Sequence, residues 1–251
     1  MYRIGIDLGG TNIAVGVVDD RHNIIAEASV PTGAFRPAEE MVADMCRAVE
    51  LALDKAGLIA ADCASIGIGS PGTCDSEAGV VVRAYNLGWF NVPVCRMLHE
   101  RFGIPVRLSN DANCAALAET VAGAAVGRRD MILITLGTGV GGGIIIDGKI
   151  YAGMRSMGAE LGHTLLVLEG EHCTCGNDGC MEAYCAASAL ARDGKRAMLE
   201  HPESLIAARA GGAGCTGGVS AVKDGVFTGA AAGRGGCGAS QRCAGSVPGS
   251  A

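Results

Sequence analysis

The chain has 251 residues, a formal net charge of −6 and 12 cysteines. The acidic balance argues against nucleic acid as the main partner, because binding a phosphate backbone requires a basic face. The sequence shows no apolar run long enough to span a bilayer and does not begin with a signal peptide. We therefore expect a cytoplasmic protein with no membrane partner, whose cysteines are reduced thiols or metal ligands rather than disulfides.

The first half of the sequence alternates short apolar runs with a segment of helical periodicity, which is typical of an α/β protein. Turn residues at Gly9-Gly10 and Asp19-Asp20 separate three apolar runs and predict antiparallel strands. A proline at the start and Gly57 at the end bound the longest helical pattern. The predicted strands are 3–8, 12–18, 23–30, 64–69 and 105–108, and the predicted helices are 37–56, 93–102 and 111–121.

The pattern that opens the chain returns after residue 130. Leu8-Gly9-Gly10-Thr11 and Leu136-Gly137-Thr138-Gly139 each place a Gly/Thr turn between two apolar runs. Asp147-Gly148 then gives a hairpin signal. An internal repeat of this size predicts two similar lobes with a cleft between them. The predicted strands are 131–136, 143–146 and 149–151.

We divide the chain into a first lobe over 1–110, a second lobe over 111–206 and a tail over 207–251. Gly and Ala occupy 24 of the 45 tail positions, and regular apolar periodicity is lost there. Such a segment buries too little apolar surface to offset its ordering entropy. We expect the tail to be poorly ordered, and the alternative is a glycine-rich helix–loop end.

The first candidate site is the turn Asp7-Leu8-Gly9-Gly10-Thr11-Asn12. A glycine-rich turn exposes backbone N–H groups and lets a phosphate approach closely. Asp7 at the strand end could hold Mg²⁺, directly or through water, while Thr11 and Asn12 add side-chain donors. The alternative is an ordinary β-turn, since two glycines between strands are common.

The second candidate is Gly137-Thr138-Gly139-Val140-Gly141-Gly142, which formally matches the dinucleotide fingerprint G-x-G-x-x-G. That fingerprint requires a helix after the glycines, but Ile144-Ile145-Ile146-Asp147-Gly148 indicates a strand and a turn. We therefore reject a dinucleotide fold. Two glycine turns, one in each lobe, fit the phosphate tail of one nucleotide better.

The third candidate is Asp111, between a predicted strand and a predicted helix. Open α/β sheets bind ligands at the carboxyl ends of their strands. A carboxylate there could accept a proton from a sugar hydroxyl as that hydroxyl attacks the γ-phosphorus. The alternative, which the sequence supports equally, is simple capping of the helix by Ser109, Asn110 or Asp111.

A short segment downstream offers the ligands that zinc prefers. Structural zinc takes four nitrogen or sulfur ligands in a tetrahedron, and His163, Cys173, Cys175 and Cys180 form a Cys3His set. Glycines between the second and third cysteines let the backbone turn tightly round an ion. The spacing predicts a zinc site, and the alternative is a cluster of free thiols in a buried loop.

Glu160 and Glu182 flank the Cys3His set, so a bound zinc would fix both carboxylates. A polyhydroxyl ligand needs several fixed acceptors, because each hydroxyl must exchange a water for a protein partner. His163 can give one ring nitrogen to zinc and the other to a sugar hydroxyl or another protein group. For Glu182 the alternative is a surface carboxylate that opens a helix, where negative charge is favourable.

Together these segments resemble the ROK family of sugar kinases (repressors, open reading frames and kinases), and within it the glucokinases most. The resemblance runs in the family's order from residue 1 to about 206. It rests on Asp7-Leu8-Gly9-Gly10-Thr11, Ser70-Pro71-Gly72, Asn86-Leu87-Gly88-Trp89, Asn110-Asp111-Ala112, Leu136-Gly137-Thr138-Gly139-Val140-Gly141-Gly142, Glu160-Leu161-Gly162-His163, and the cysteine motif that ends at Glu182.

The resemblance implies an actin-like, RNase H-like ATPase fold of the α/β class, in which two lobes close over ATP and a hexose. It implies phosphorylation of a hexose hydroxyl, first of all glucose to glucose 6-phosphate, with ATP, Mg²⁺ and a structural Zn²⁺ as cofactors. The implied partner is a small-molecule sugar, and the intact family commonly forms homodimers or homotetramers.

The resemblance also implies a role for single residues. Asp111 would be the catalytic base. The sugar would be held by Gly72, Asn86, Asn110, Asp111, Glu160, His163 and Glu182, the nucleotide phosphates by Asp7, Gly9, Gly10, Thr11, Asn12, Gly137, Thr138 and Gly139, and zinc by His163, Cys173, Cys175 and Cys180.

The sequence departs from the family pattern after Ile206, where further helices and an adenosine-binding turn are expected. We hypothesise that a frameshift or truncation replaced this part and left the second lobe incomplete. Two alternatives stay open: a remnant that binds zinc and sugar without turnover, and a kinase for N-acetylmannosamine, N-acetylglucosamine, mannose or fructose. Polyphosphate is an alternative donor to ATP. A sugar-responsive regulator is disfavoured, because no basic helix-turn-helix precedes Asp7.

Overall fold

A computed structural model describes residues 1–154 and 158–209 of the chain. Its strands are β1 Tyr2–Leu8, β2 Asn12–Val18, β3 Ile24–Pro31, β4 Cys63–Ser70, β5 Thr73–Asp75, β6 Val80–Ala84, β7 Trp89–Val92, β8 Val106–Asn110, β9 Met131–Leu136, β10 Val140–Ile146 and β11 Lys149–Ile150. Its α-helices are α1 Ala38–Ala56, α2 Val94–Phe102, α3 Asp111–Ala122, α4 Glu182–Cys185, α5 Ala187–Glu200 and α6 Leu205–Arg209.

The largest sheet has five strands in the order β3-β2-β1-β4-β8. Strands β1, β2 and β3 pair antiparallel, whereas β4 runs parallel to both β1 and β8. Alternation along β1 buries Ile4, Ile6 and Leu8 on one face and leaves Asp7 exposed. The mixed sheet therefore brings the carboxyl ends of β1, β4 and β8 to one edge, where polar residues follow each strand.

One face of this sheet is covered by helices. Helix α1 packs on β2 and β3, and α2 packs on β8. The buried side chains of α1 recur at helical spacing, from Met41 and Met45 to Val49 and Leu53, as its sequence pattern predicts. The helix ends at Gly57, in the left-handed conformation that glycine adopts without strain.

Two smaller sheets accompany the large one. One has the order β11-β10-β9, so the predicted repeat of strand, glycine turn and returning strand is confirmed. In it β10 begins at Val140, three residues earlier than predicted, and only Gly137–Gly139 form the turn. The other sheet, β5-β6-β7, was not predicted, because its strands are short and interrupted by polar residues and tight turns.

The chain forms two compact units, each built from several sequence segments. The first unit comprises Met1–Ala118, Gly127–Thr135 and Gly141–Leu161, and the second comprises Glu119–Val126, Leu136–Val140 and Gly162–Ala251. Residues 111–118, predicted as the start of the second lobe, belong to the first unit. The lobe limits at 110 and 206 stay predictions. Of the predicted tail, residues 210–251 lie outside the described residues.

The described cysteines are all free thiols. They are Cys46, Cys63, Cys74, Cys95, Cys114, Cys173, Cys175, Cys180 and Cys185. Within residues 1–154 and 158–209, no helix combines the length and the apolar character that crossing a bilayer would take.

Helix α3 lies unusually close to β10 within the first unit. A Cβ atom placed on Gly143 would lie 2.5 Å from Cβ of Ala116 and 2.9 Å from the carbonyl oxygen of Ala112. Because both neighbours belong to the helix, a larger residue at 143 could be accommodated only if α3 moved. Glycine in this strand is a packing requirement rather than a turn signal.

Replacing Gly143 with Ala should destabilise the protein by about 1–3 kcal/mol, because the added methyl group overpacks the contact with α3. The matched control is Gly5→Ala in β1, where the added methyl would have no atom within 4 Å and should cost little. Urea unfolding of both variants measures the difference. Equal stability of the two variants would contradict the close packing of α3.

Candidate functional site

The turn between β1 and β2, here called the first glycine turn (Gly9–Thr11), is fixed by backbone and side-chain hydrogen bonds. The Gly9 N–H donates to the Asn12 carbonyl at 3.0 Å. The hydroxyl of buried Thr32 donates to the Gly9 carbonyl at 2.7 Å, and its own N–H donates to the Thr11 carbonyl at 2.9 Å. Sequence reasoning missed Thr32, because nothing local distinguishes it from the end of β3.

The amide of Asn86 lies beside this turn. A Cβ atom placed on Gly10 would be 3.4 Å from Nδ2 of Asn86. The predicted sugar ligand Asn86 and the predicted phosphate-binding residue Gly10 are therefore neighbours in the first unit. A nucleotide phosphate at Gly10 and a sugar at Asn86 would approach each other there.

The junction of β8 and α3 settles which residue caps the helix. The side-chain oxygen of Asn110 accepts hydrogen bonds from the N–H groups of Ala112 at 3.0 Å and Asn113 at 3.3 Å. Its Nδ2 donates to the Gly72 carbonyl at 3.2 Å. Asn110 is thus the main cap, and one carboxylate oxygen of Asp111 also accepts from Ala112 N–H, at 2.8 Å.

Gly72 has a conformation that only glycine tolerates well. Its φ is +80°, and an added Cβ atom would lie 2.1 Å from the carbonyl oxygen of Arg83. The Ser70-Pro71-Gly72 segment is thereby held against β6, with the Gly72 carbonyl turned to Asn110. Gly72 can contact a ligand only through its backbone.

Asp7 and Asp111 flank the end of β4. Asp7 pairs with Gly69 in the β1–β4 register, and a Cβ atom on Gly69 would lie 3.5 Å from the Cα of Asp111. Both side chains are exposed at the sheet edge. The protein atoms around them nevertheless remove part of their hydration, which disfavours the charged carboxylate.

This loss of hydration raises the pKa of both carboxyl groups. Burial raises the pKa of Asp111, hydrogen bonding from Ala112 N–H opposes the shift, and the negative charge of Asp7 adds to it. Burial likewise raises the pKa of Asp7. A carboxylate with a raised pKa is a stronger base than an ordinary aspartate. The pair could therefore take up a proton or share a divalent cation.

The predicted site residues divide between the two units. The first unit holds Asp7, Gly9, Gly10, Thr11, Asn12, Gly72, Asn86, Asn110, Asp111 and Glu160, and the second holds Gly137, Thr138, Gly139, His163, Cys173, Cys175, Cys180 and Glu182. In the first unit, Asn86 lies beside the first glycine turn at Gly10, and Asn110 and Asp111 lie beside the end of β4. Exposed Glu160 follows Ala159, whose φ is +64°.

The four predicted metal ligands come together in the second unit. Their ligand atoms all lie within 4.8 Å of one another. The Cys175 and Cys180 sulfurs are 3.6 Å apart, and Cys173 Sγ is 3.7 Å from Nδ1 of His163. Tetrahedral zinc with sulfur ligands at 2.3 Å would separate two sulfurs by about 3.8 Å. The Cys3His set fits this ion in both donor chemistry and spacing.

The loop that carries these ligands, residues 163–180, is held by its own backbone. The Cys173 N–H donates to the Asn177 carbonyl at 2.9 Å, and the Gly176 N–H donates to the Cys173 carbonyl at 3.0 Å. Gly176 and Gly179 have φ values of +95° and +80°, as the predicted tight turns require. Below, this segment is called the cysteine loop.

Glu182 joins the cysteine loop to the second glycine turn, Gly137–Gly139. Its Oε2 accepts from the Val140 N–H at 2.9 Å, and its Oε1 accepts from the Thr174 hydroxyl at 3.3 Å. Sequence analysis predicted Glu182 as a sugar ligand or a helix-opening carboxylate. It is the first residue of α4, and its contact with Val140 is one that spacing could not reveal.

The start of α5 holds the same turn from a second direction. The Ala187 N–H donates to the Gly137 carbonyl at 2.8 Å, and the Ser188 hydroxyl donates to the Thr138 carbonyl at 3.3 Å. The extended backbone of Ala186 separates α4 from α5, so the helix that Glu182 opens is only four residues long.

A cavity of about 630 Å³ opens beside Thr138 in the second unit, along α5. Its lining includes the cationic residues Arg192, Lys195 and Arg196. Arg196 donates to Glu171 at 2.9 Å and Arg192 to Asp193 at 2.8 Å, so acidic neighbours partly neutralise this charge. Ala187, Ala191 and Leu199 make much of the rest of the lining apolar.

The sequence matches the ROK family over residues 3–232, so the match continues past Ile206, after which the sequence was expected to depart from the family pattern. A glucokinase from Streptomyces coelicolor is 40% identical over 200 residues, which are 80% of this chain and 61% of that protein. An N-acetylmannosamine kinase from Citrobacter koseri is 35% identical over 192 residues, 76% of this chain and 63% of that protein. The chain spans less than two-thirds of these curated relatives.

The fold is similar to that of a solved ROK family glucokinase from Streptomyces griseus in complex with glucose and AMPPNP. The TM-score is 0.76 at 37% sequence identity, and the match covers 92% of this chain and 72% of that one. The predicted actin-like, mixed α/β fold is confirmed.

Replacing Asp111 with Asn should stabilise the fold at neutral pH. The folded-state pKa of Asp111 is raised above its ordinary value of 3.8, so a loss of stability builds up between that ordinary value and the raised pKa and is complete above it. Asn keeps an oxygen that can accept from Ala112 N–H but carries no charge. The gain should disappear as the pH falls below about 3.8, the usual value for an exposed aspartate.

The control is Asp19→Asn, for which the sign is opposite. Hydrogen bonds from the Asn23 side chain and backbone lower the pKa of Asp19, so its charged form stabilises the fold above the unfolded-state pKa. Asp19→Asn should therefore lose stability at neutral pH. Urea unfolding of both variants at several pH values tests this, and an Asp111→Asn protein less stable than wild type at neutral pH would contradict it.

Proposed function

The chain belongs to the ROK family, and from that membership we propose that it transfers the γ-phosphoryl group of ATP to a hydroxyl of a hexose. The observation that carries the proposal is the position of Asp111. Its carboxylate follows the parallel strand β8, has a raised pKa and is close enough to Asp7, two residues before the first glycine turn, to be affected by the charge of Asp7. A base with access to both a sugar and a phosphate is what phosphoryl transfer to an alcohol requires.

In this proposal Asp111 accepts the proton of the sugar hydroxyl as its oxygen attacks the γ-phosphorus. The bond from that phosphorus to the bridging oxygen breaks, and ADP leaves. Asn110 holds Asp111 in place by capping α3 and tying it to Gly72. Asn86, Asn110, Glu160, His163 and Glu182 are the proposed side-chain ligands of the sugar, and Gly72 contributes its backbone.

The phosphates of the donor would lie against the two glycine turns. Backbone N–H groups of Gly10, Thr11, Thr138 and Gly139 would be the uncharged donors to phosphate oxygens. The N–H groups of Gly9 and Gly137 close their own turns by donating to the Asn12 and Gly139 carbonyls. The Asp7 and Asn12 side chains stand beside the first turn, where Asp7 would hold Mg²⁺ directly or through water. When bound, Mg²⁺ would neutralise charge that develops on the transferred group.

Glucose, phosphorylated at O6, is the hexose that we propose first, because glucokinases are among the relatives reported above. N-acetylmannosamine is the second candidate, because a kinase for that sugar is 35% identical to the chain. A single hydroxyl or acetamido contact separates these substrates. N-acetylglucosamine, mannose and fructose belong in the same panel, with polyphosphate as an alternative donor.

We further propose a structural Zn²⁺ on His163, Cys173, Cys175 and Cys180, which the fit of ligand distances supports. The ion would neutralise the thiolates and fix the cysteine loop that carries His163 and leads to Glu182. A cytoplasmic homodimer or homotetramer is proposed from family membership alone.

Asp111→Asn should lower kcat for hexose phosphorylation by at least about a hundredfold, the usual contribution of a positioned general base. The dissociation constant of the sugar should change little, because the Asn side chain keeps the shape and one acceptor. A coupled ADP-release assay and calorimetry with glucose measure the two quantities. The control is Asp19→Asn, which lies at a distant turn and should leave both unchanged. Normal turnover in Asp111→Asn would remove Asp111 from the mechanism.

Metal analysis of the purified protein should find about one zinc per chain, since four closed ligands bind one ion. Cys173→Ser should lose that zinc, whereas Cys185→Ser, an exposed thiol outside the ligand set, should retain it. A fully folded protein that binds no zinc when supplied with it would refute the metal site.

A further inference from the structure

We propose that Glu182 is a positioning residue that clamps the second glycine turn to the cysteine loop, so that zinc in the loop tightens binding of the donor phosphates. The inference rests on the proposed function for the identity of the donor. The contacts that define the clamp join Val140, Thr174 and Glu182, all of which belong to the second unit.

Both carboxylate oxygens of Glu182 accept hydrogen bonds from other residues of the chain. Oε2 accepts from Val140 N–H at 2.9 Å, and an added Cβ atom on Gly139 would lie 2.5 Å from the same oxygen. Oε1 accepts from Thr174 at 3.3 Å and lies 3.9 Å from Cys173 Sγ. The two oxygens of one carboxylate therefore face the two segments separately.

The hydrogen bond from the Val140 N–H to Glu182 fixes the second glycine turn. Val140 is buried, so its N–H would lack a partner if Glu182 moved away, and an unpaired buried donor is costly. A bond from N–H to a carboxylate is also stronger than one to a neutral oxygen. Together with the Ala187 and Ser188 bonds to the turn's carbonyls, it leaves the Gly137–Gly139 backbone little freedom.

Glu182 also lies close to the proposed metal ligands. Glu182 follows the ligand Cys180 by two residues and its Oε1 faces Thr174, which lies between the ligands Cys173 and Cys175. Anything that orders the four ligands therefore orders the carboxylate. Zinc bound in the cysteine loop would order the second glycine turn in advance, so the turn would lose less conformational entropy when a phosphate binds. The zinc site and the phosphate site would then be thermodynamically coupled.

The test follows the Val140 amide by NMR hydrogen exchange in the zinc-loaded chain. In Glu182→Ala that amide should exchange at least about tenfold faster, the scale expected for losing a bond to a charged acceptor. Glu182→Gln, which keeps a neutral acceptor, should show a smaller increase and serves if the Ala variant does not fold. Glu169→Gln, an exposed carboxylate in the cysteine loop, is the control and should leave the exchange rate unchanged.

Two further measurements complete the cycle. Removing zinc with a chelator should speed Val140 exchange in the wild type but add little in Glu182→Ala. Calorimetry with Mg·ATP should show affinity weakened by roughly tenfold in Glu182→Ala, while Glu169→Gln should keep the wild-type affinity.

The inference is overturned if Val140 exchange is unchanged in Glu182→Ala, or if chelation leaves the wild-type rate unchanged. It is also overturned if the variant loses glucose affinity while Mg·ATP affinity and Val140 protection persist, which would make Glu182 a sugar ligand only. Because hydrogen exchange needs no turnover, a chain that phosphorylates no hexose would refute the proposed function while leaving this test decisive.

Discussion

The position of the Asp111 carboxylate depends on how closely α3 packs against the strands beside it. Gly143 brings the backbone of β10 against Ala112 and Ala116, and Gly69 brings β4 to within contact of the first residue of the helix. A displacement of about 1 Å at a reacting group can cost a hundredfold in rate. The same packing places Asp7 near Asp111 and removes water from both, which raises the pKa of each carboxyl. The packing of α3 thus determines both the position of the Asp111 carboxylate and its strength as a base.

Much of the fold follows from local sequence. The strands β1 to β3 and the helix α1 are long, strongly patterned segments with turn residues at their limits, and periodicity predicts such segments well. The sheet β5-β6-β7 does not follow, because strands as short as Thr73–Asp75 give too few residues for a pattern. Gly141 and Gly142 were predicted to lie in a turn, although they belong to β10. The close contact of Gly143 with α3 is visible only in three dimensions.

The candidate site shows the same division. The Cys3His spacing is local chemistry and could be predicted, and its ligand atoms do converge. The choice among Ser109, Asn110 and Asp111 as the cap could not be made from sequence, since all three residue types cap helices well. Thr32 and the bond from Val140 to Glu182 join segments far apart in the chain. No propensity encodes such contacts, so the turn-fixing roles emerge only from the fold.

Both glycine turns share one physical problem. A loop that binds phosphate through backbone N–H groups must present them in a fixed arrangement, although glycine favours many conformations. Thr32 fixes the first turn from β3, and Glu182 with the start of α5 fixes the second. In each case the constraint comes from a side chain outside the turn. The glycines therefore allow a phosphate to approach the backbone closely, and the neighbouring residues hold each turn in one conformation.

The most direct test of the account is the pH dependence of kcat/KM for hexose phosphorylation. We predict one deprotonation on the acid limb, with an apparent pKa above the 3.8 of an ordinary aspartate. In Asp7→Asn that limb should move to lower pH, because the negative charge that raises the pKa of Asp111 is gone. A rate that stays constant through the carboxylate range, or a limb that Asp7→Asn leaves in place, would contradict the role of Asp111 as the base.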